Sequence, residues 1–286
     1  MNYTIKQFNN DFPSEAVCLD TIFQNRYGDL TTCPKCGVTD TKFYRVKQRK
    51  CYACMHCGHQ LHPTAGTIFH KSDTPLKSWF FAIFLFSNSK NGVSAKELER
   101  HLGVTYKTAW RMAKQIRLLM AEDSGTLSGT VEADETYIGG RATGEGRQGP
   151  RSGGKQIVFG MTERKGKASA KVVPDTKLKT LMNLVETTVE RGSELMTDDS
   201  HSLWVADKAG YRHNVIVHSK KEYVQGNVHT NTIEGFWSQL KRSIDGTYHA
   251  VSPKYLQHYV NEFAFRYNYR AVPIYPRLIL EAARRV

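Results

Sequence analysis

Apolar residues at helical spacing dominate the middle of the chain. A run from Trp79 to Phe86 predicts a buried helix that extends to about Asn88. Thr74 would be its N-cap residue and Pro75 its first helical residue. The run is far shorter than the roughly 20 residues that a membrane span needs. We therefore interpret it as part of a protein core.

Two shorter helices are predicted downstream, joined by a turn that contains glycine. The segment Ser94-Ala95-Lys96-Glu97 has the form of a capping box, and Gly103 ends the first helix. Thr105 opens the second helix, whose polar side carries three basic residues: Lys107, Arg111 and Lys114. This pattern predicts a helix-turn-helix whose second helix enters the major groove of DNA. A plain helical hairpin that packs between domains would have the same pattern.

Strand-like runs alternate with helical ones in the second half of the chain. The predicted strands are 130–134, 156–161, 168–173, 194–197 and 214–217. The predicted helices are 176–191, 231–244 and one that opens at 252. The order of these segments fits an RNase H-like mixed sheet with the first strand at its centre.

The charge of the chain favours a polyanionic partner. Its 286 residues contain 40 Lys and Arg against 27 Asp and Glu, a formal net charge of +13. Such a surplus favours nucleic acid and makes binding sensitive to salt. A basic protein without a nucleic-acid partner is the alternative. The N-terminus lacks the apolar core of a secretory signal, so we expect a reducing, intracellular setting in which cysteines are thiols or metal ligands.

Two C-x2-C-G motifs predict a zinc site near the N-terminus. They are Cys33-Pro34-Lys35-Cys36-Gly37 and Cys54-Met55-His56-Cys57-Gly58. The 17 residues between them fall within the spacing of four-cysteine zinc sites, which are closed and structural. Cys51 could instead pair with Cys54, although the glycine after Cys57 favours the pair Cys54 and Cys57. We expect Cys18 to be a small buried hydrophobic residue.

Three acidic residues of the second half predict a second metal site. Asp134 and Asp198 each end a strand-like run, and Glu234 lies on a predicted helix. Neighbouring strands would bring the two aspartates together, with Glu234 approaching from the helix. Carboxylate oxygens bind Mg²⁺, and paired ions of this kind stabilise phosphoryl transfer. Lys241, two helical turns beyond Glu234, would orient a DNA phosphate.

Each of these residues also has a structural interpretation. Asp134 could mark an ordinary turn at the end of a strand. Glu234 could be a solvated helical carboxylate, or a partner of Lys241 or Arg242. Lys241 could be an ordinary surface lysine. Asp199 competes with Asp198 for the same role, and Asp198 is favoured because it directly follows the apolar strand.

The predicted fold class is mixed α/β (α+β), divided into three parts. Residues 1–70 would form a zinc ribbon with an N-terminal extension, and residues 71–125 a helical, DNA-binding helix-turn-helix region. Residues 126–286 would form an RNase H-like catalytic domain.

Several long motifs resemble those of bacterial insertion-sequence transposases of the DDE class that carry an N-terminal zinc ribbon, the ISXO2-like group. The resemblance covers nearly the whole sequence, from Cys33 to about Arg270. It rests on Thr64-Ala65-Gly66-Thr67-Ile68-Phe69, Asp134-Glu135-Thr136-Tyr137-Ile138-Gly139-Gly140, Asn231-Thr232-Ile233-Glu234-Gly235-Phe236-Trp237-Ser238, Lys241-Arg242 and Glu262-Phe263-Ala264-Phe265-Arg266-Tyr267-Asn268.

The resemblance implies that Asp134, Asp198 and Glu234 are a catalytic triad that acts with Mg²⁺ or Mn²⁺. It implies cleavage of DNA at transposon ends and transfer of the freed 3′ ends into target DNA. The zinc site would be structural, with Cys33, Cys36, Cys54 and Cys57 as ligands. The ribbon and the helical region would recognise terminal inverted repeats.

Holding two transposon ends together would require a homodimer or a higher oligomer. We expect the protein at the nucleoid in a prokaryotic cytoplasm, with no membrane partner. Two rival hypotheses remain open at this point. An RNase H-fold nuclease or resolvase would cleave DNA without joining it. A domesticated DNA-binding regulator would bind DNA without cleaving it.

Overall fold

The computed structural model describes residues 3–121, 125–139, 154–198, 203, 205–215 and 229–284. The chain forms two compact units. The first comprises Met1–Ser89, Val93–Leu119 and Val272–Val286, and the second comprises Lys90–Gly92 and Met120–Ala271. Within the described ranges, no helix combines the length and the apolar character that a membrane crossing needs.

The first unit begins with two helices and a small sheet. The helices are α1 (Ile5–Asp11) and α2 (Glu15–Tyr27), and the strands are β1 (Phe43–Arg45), β2 (Tyr52–Cys54) and β3 (Gln60–Leu61). The strands pair antiparallel in the order β1-β2-β3. Phe23 of α2 stacks on Tyr52 of β2 with ring centroids 3.8 Å apart, so α2 packs against the small sheet.

The apolar run of the middle region forms α3 (Leu76–Asn88), which ends where the sequence predicts. Its start differs by one residue, because Pro75 and not Thr74 is the N-cap residue. The first amides of α3 are capped by a residue that is distant in the sequence. Glu15 accepts from the backbone N–H groups of Leu76 at 2.9 Å and Lys77 at 3.1 Å. A carboxylate at a helix N-terminus satisfies free amides and offsets the helix dipole.

The two predicted shorter helices are α4 (Ala95–Leu102) and α5 (Tyr106–Leu119). Ser94 caps α4 by accepting from the backbone N–H of Glu97 at 3.1 Å. Gly103 ends α4 with φ of +63°, a conformation that glycine adopts without strain. The predicted apolar side of α5 is buried, and its members are Ala109, Met112, Ala113 and Ile116.

Helix α9 (Ile274–Ala283), near the C-terminus, belongs to the first unit. The predicted boundaries assigned these residues to the catalytic domain, so the two divisions of the chain differ here. The apolar face of α9 explains its position, because Tyr275 stacks on Tyr3 with ring centroids 4.4 Å apart and lies edge-on to Phe8. Leu278 and Ala282 of the same face are fully buried.

The second unit contains a five-stranded mixed sheet. Its strands are β4 (Thr130–Ile138), β5 (Gln156–Glu163), β6 (Ala168–Val173), β7 (Glu194–Thr197) and β8 (Arg212–Val215). The order is β6-β5-β4-β7-β8, with antiparallel pairing among β4, β5 and β6 and parallel pairing among β4, β7 and β8. The predicted mixed sheet with its first strand at the centre is therefore present.

Three strands differ in length or position from the prediction, and one of them, β5, ends two residues later than predicted, at Glu163. Strand β4 does not end at Asp134 but continues to Ile138, because residues 135–138 pair with residues 156–159 of β5. Strand β8 begins two residues earlier than predicted, and the predicted residues 216 and 217 lie outside the described part of the chain.

Helices cover both faces of this sheet. They are α6 (Leu178–Thr188), α7 (Asn231–Ser243) and α8 (Leu256–Asn268). Val131 and Ala133 of β4 belong to a buried cluster with residues of α6, whereas Ile138 belongs to a cluster with residues of α7 and α8. Since side chains alternate along a strand, Glu132 and Asp134 face α7 and α8.

Helix α8 also covers the backbone of the outer strand β6. The side-chain amide of Asn268 accepts from the N–H of Ala168 at 2.7 Å and donates to its carbonyl at 3.0 Å. Three turns earlier, Gln257 accepts from the N–H of Val172 at 2.7 Å and donates to the carbonyl of Ala170 at 3.1 Å. These contacts satisfy edge groups that would otherwise be open to pairing with another chain.

Trp237 of α7 packs on the sheet at Gly160, the β5 residue that pairs with Asp134. A Cβ atom at position 160 would lie 2.5 Å from Cη2 and 2.6 Å from Cζ2 of the indole ring. The absence of a side chain at Gly160 therefore makes room for the tryptophan.

We expect Gly160→Ala to destabilise the protein by roughly 1–3 kcal/mol, because overpacking a core forces neighbouring groups to shift. Urea denaturation measures this change. Gly235→Ala is the matched control, since Gly235 lies on α7 with open space around its Cα. That control should leave stability unchanged or raise it by up to about 1 kcal/mol. Equal stability of Gly160→Ala and the wild type would contradict this packing account.

Candidate functional site

Four cysteines of the first unit form a compact thiol cluster. The Sγ atoms of Cys33, Cys36, Cys54 and Cys57 all lie within 4.8 Å of one another. In each motif the glycine donates its backbone N–H to the carbonyl of the first cysteine at 3.0 Å, with φ of +70° at Gly37 and +69° at Gly58. Four thiolates so arranged fit a closed tetrahedral zinc site.

Hydrogen-bond donors favour the thiolate form at two of the four cysteines, Cys54 and Cys33. The hydroxyl of Thr41, 3.5 Å from Cys54 Sγ, is the main cause that lowers the pKa of Cys54 to about 6, and the backbone amides of Cys57 and His56 add to it. The backbone amide of Cys36 similarly lowers the pKa of Cys33. Because metals bind the deprotonated thiol, these donors prepare the site for zinc.

Cys51 and Cys18 lie outside this cluster. Both are fully buried, and the Sγ atom of Cys51 lies 3.6 Å from Oε1 of Gln60. The second pair of the cluster is therefore Cys54 and Cys57, and Cys51 is not part of it.

The two predicted aspartates lie side by side on the second unit's sheet. Ala133 of β4 pairs with Thr197 of β7, so Asp134 and Asp198 follow at the same level of two parallel neighbours. The indole N–H of Trp237 donates to Oδ2 of Asp134 at 3.0 Å. Asp199, the alternative to Asp198, lies outside the described residues.

The electrostatics of Asp134 link it to both other predicted carboxylates. Burial, followed by the negative charge of Asp198 and more weakly that of Glu234, raises the pKa of Asp134 to about 6 against the opposing effects of the Trp237 indole N–H and the backbone N–H of Glu135. Glu234 lies exposed in the first turn of α7, where its Oε1 accepts from the hydroxyl of Thr230 at 3.2 Å. The structure thus brings Asp134, Asp198 and Glu234 into one region of negative potential.

The carboxylates are more widely spaced than the thiols. Among the described residues, only the four cysteines form a group of three or more ligand atoms that all lie within 4.8 Å. A wider spacing is compatible with a pair of ions about 3.5–4 Å apart rather than a single ion. Lys241 lies exposed two turns beyond Glu234 on α7.

Two further carboxylates of β4 were not identified from the sequence. Glu135 is half-buried, and burial followed by the charges of Asp134 and Asp198 raises its pKa to about 7. Glu132 is fully buried and accepts hydrogen bonds from the first amides of α7. The sequence does contain a signal for both residues, because each is an acidic residue within an apolar strand and lies close to Asp134.

The predicted DNA-binding side chains lie on the side of α5 away from its buried residues. Lys107 and Arg111 are exposed and Lys114 is partly buried. Arg111 donates to the carbonyl of His70 at 3.5 Å, and the ammonium of Lys114 lies 5.8 Å from the ring centre of Trp110. Their contact with DNA stays a prediction.

Comparison with known proteins connects both units to mobile genetic elements. An ISXO2-like transposase domain matches residues 126–268, and a transposase zinc-ribbon domain matches residues 13–60. A protein of Halobacterium salinarum described as an uncharacterized protein in transposable element ISH50 is 28% identical over 275 residues, which cover 89% of this chain and 91% of that protein.

These matches confirm the resemblance seen in the sequence motifs. The transposase-domain match spans half of the chain and contains Asp134, Asp198 and Glu234. The zinc-ribbon match contains all four clustered cysteines. The chain belongs to the ISXO2-like transposase family.

Proposed function

We propose that the chain catalyses metal-dependent cleavage at transposon ends and transfer of the freed 3′ ends into target DNA. The observation that carries this proposal is that Asp134 of β4 and Asp198, directly after the parallel strand β7, lie at the same level of the sheet, with Glu234 in the first turn of α7, which packs on the same face as Asp134. Both steps are displacements at phosphorus, so one carboxylate site can serve them in turn.

The donor set fits divalent cations. Burial and, after it, the negative charge of Asp198 raise the pKa of Asp134, and such a group of carboxylate oxygens suits Mg²⁺ or Mn²⁺. When bound, these ions supply charge stabilisation for the attacking and leaving oxygens. Trp237 fixes the orientation of Asp134 through its indole N–H. Lys241 would contact a phosphate of the bound DNA.

The first unit supplies a means of DNA recognition. We propose that Lys107, Arg111 and Lys114 on α5 contact phosphates and base edges of the terminal inverted repeats. The zinc-bound ribbon would be a structural element beside them. Because two transposon ends must be held together, we further propose a homodimer or a higher oligomer.

Asp134→Asn tests the catalytic assignment. We expect strand transfer to fall on the order of 10³-fold, because several kcal/mol of transition-state stabilisation depend on the bound metal. The assay uses labelled DNA that carries the element's ends. Asp175→Asn is the control, since Asp175 accepts hydrogen bonds at the start of α6 and asparagine can accept them too. Retained activity in Asp134→Asn would reject the assignment, and wild-type cleavage without joining would favour a nuclease.

The same variant should have a pH-dependent effect on stability before Mg²⁺ is added. The folded-state pKa of Asp134, about 6, exceeds its usual value of 3.8. Ionisation therefore destabilises the folded wild type as the pH rises from about 4 through 6. We expect Asp134→Asn to be more stable than the wild type by roughly 2 kcal/mol near pH 8, and by little near pH 4. Urea denaturation at both pH values measures the difference in stability between the variant and the wild type. The same stability difference at the two pH values would contradict the expectation.

Loss of zinc should unfold the ribbon. We expect Cys54→Ser to lose bound zinc and binding to transposon-end DNA, because structural zinc contributes about 10 kcal/mol or more to small zinc domains. Metal analysis of the purified protein measures zinc per chain. Cys51→Ala is the matched control, since Cys51 is a buried cysteine outside the cluster. Full zinc content in Cys54→Ser, or loss in Cys51→Ala, would contradict the proposed ligand set.

A further inference from the structure

Glu132 is a charged residue at the centre of the second unit's core. It lies on β4 two residues before Asp134, and its side chain is 0% exposed. Removing a carboxylate from water is costly unless hydrogen bonds and an opposite charge replace its hydration. The partners of Glu132 therefore indicate what its burial achieves.

The first group of partners is the N-terminus of α7. Oε2 of Glu132 accepts from the backbone N–H groups of Thr232 at 2.7 Å and Ile233 at 3.0 Å, and Oε1 accepts from the hydroxyl of Thr232 at 2.9 Å. The N-cap residue Thr230 makes no side-chain cap and instead donates to Glu234. Glu132 thus performs the capping role that a local residue usually performs.

The second group of partners connects this contact to the turn after β5. Nε of Arg164, in the turn after β5, donates to Oε1 of Glu132 at 2.8 Å. Nη2 of Arg164 donates to the carbonyl of His229 at 2.8 Å, and Nδ1 of His229 lies 3.3 Å from Oε1 of Glu132. Arg164 and Glu132 together therefore hold the segment that leads into α7.

We infer that Glu132 is the positioning residue that sets Glu234 opposite Asp134 and Asp198. Glu234 is two residues beyond Thr232 in the first turn of α7, so a shift of that turn moves its carboxylate directly. Glu132 and Asp134 lie on one continuous strand. The hydrogen bonds from α7 to Glu132 therefore fix the position of Glu234 relative to Asp134. The inference rests on the proposed function, because the geometry of the carboxylates matters most if they bind metal.

Binding of Mn²⁺ to the full-length, zinc-loaded protein tests this role without relying on activity. Titration calorimetry gives the affinity, and Asp134→Asn identifies the heat that belongs to the carboxylate site. We expect Glu132→Gln to weaken Mn²⁺ binding about 10- to 100-fold, as loss of supporting groups does at other metal sites. Thr232→Val, which keeps the backbone N–H and loses only the hydroxyl, should weaken it roughly 3- to 10-fold.

The matched control is Thr180→Val. Thr180 also donates its hydroxyl to a carboxylate at a helix start, Asp175 Oδ1 at 2.7 Å, but on α6. We expect this variant to bind Mn²⁺ like the wild type. Thermal unfolding shows which variants are folded, and if Glu132→Gln is not, Thr232→Val decides the question.

The outcomes separate the positioning role from the proposed function. Wild-type affinity in the folded Glu132 and Thr232 variants would overturn the positioning role and leave the catalytic assignment intact. Equal weakening of Mn²⁺ binding by Thr180→Val would also overturn the positioning role, because the effect would then not depend on the contact between Glu132 and Thr232. If Asp134→Asn removes no Mn²⁺ binding from the wild-type titration, the proposed metal site itself is wrong, and the inference fails with it.

Discussion

The structure of the second unit depends on the hydrogen bonds and the opposite charge that compensate the negative charges on one face of β4. Glu132 and Asp134 lie two residues apart on that strand, and Asp198 directly follows the neighbouring strand β7 at the level of Asp134. Apolar surroundings make each uncompensated charge costly. The contacts that surround these carboxylates therefore decide both where α7 sits and what chemistry the site can support.

The two carboxylates of β4 are compensated to different degrees. Glu132 receives two backbone amides, a hydroxyl and the guanidinium of Arg164, and it is fully buried. Asp134 receives the indole N–H of Trp237, yet burial and the nearby charge of Asp198 still raise its pKa. This difference assigns a structural role to Glu132 and leaves at Asp134 a negative charge that a divalent cation could neutralise.

Local sequence patterns could predict the parts of the fold that depend on neighbouring residues. The spacing of Cys33, Cys36, Cys54 and Cys57 with two glycines identified the thiol cluster, and apolar periodicity identified the strands and most helices. The missed features join distant residues. Glu132 meets Thr232, 100 positions away, and Glu15 caps Leu76. No local periodicity records such contacts, so the sequence marks Glu132 only as an acidic residue within an apolar strand and does not reveal the partners of either carboxylate.

Helix α7 is attached to β4 at two points, and this explains how a helix can present a carboxylate accurately. Thr232 binds Glu132 and Trp237 binds Asp134. Five helical residues rise about 7.5 Å, and two strand residues span about 6.7 Å, so the two spacings match when the helix runs along the strand. One attachment alone would leave the helix free to rotate about it. Two attachments fix its position along the strand, and the buried apolar face of α7 (Ile233, Phe236 and Leu240) prevents rotation about the line that joins them. Glu234 lies between the two attachments.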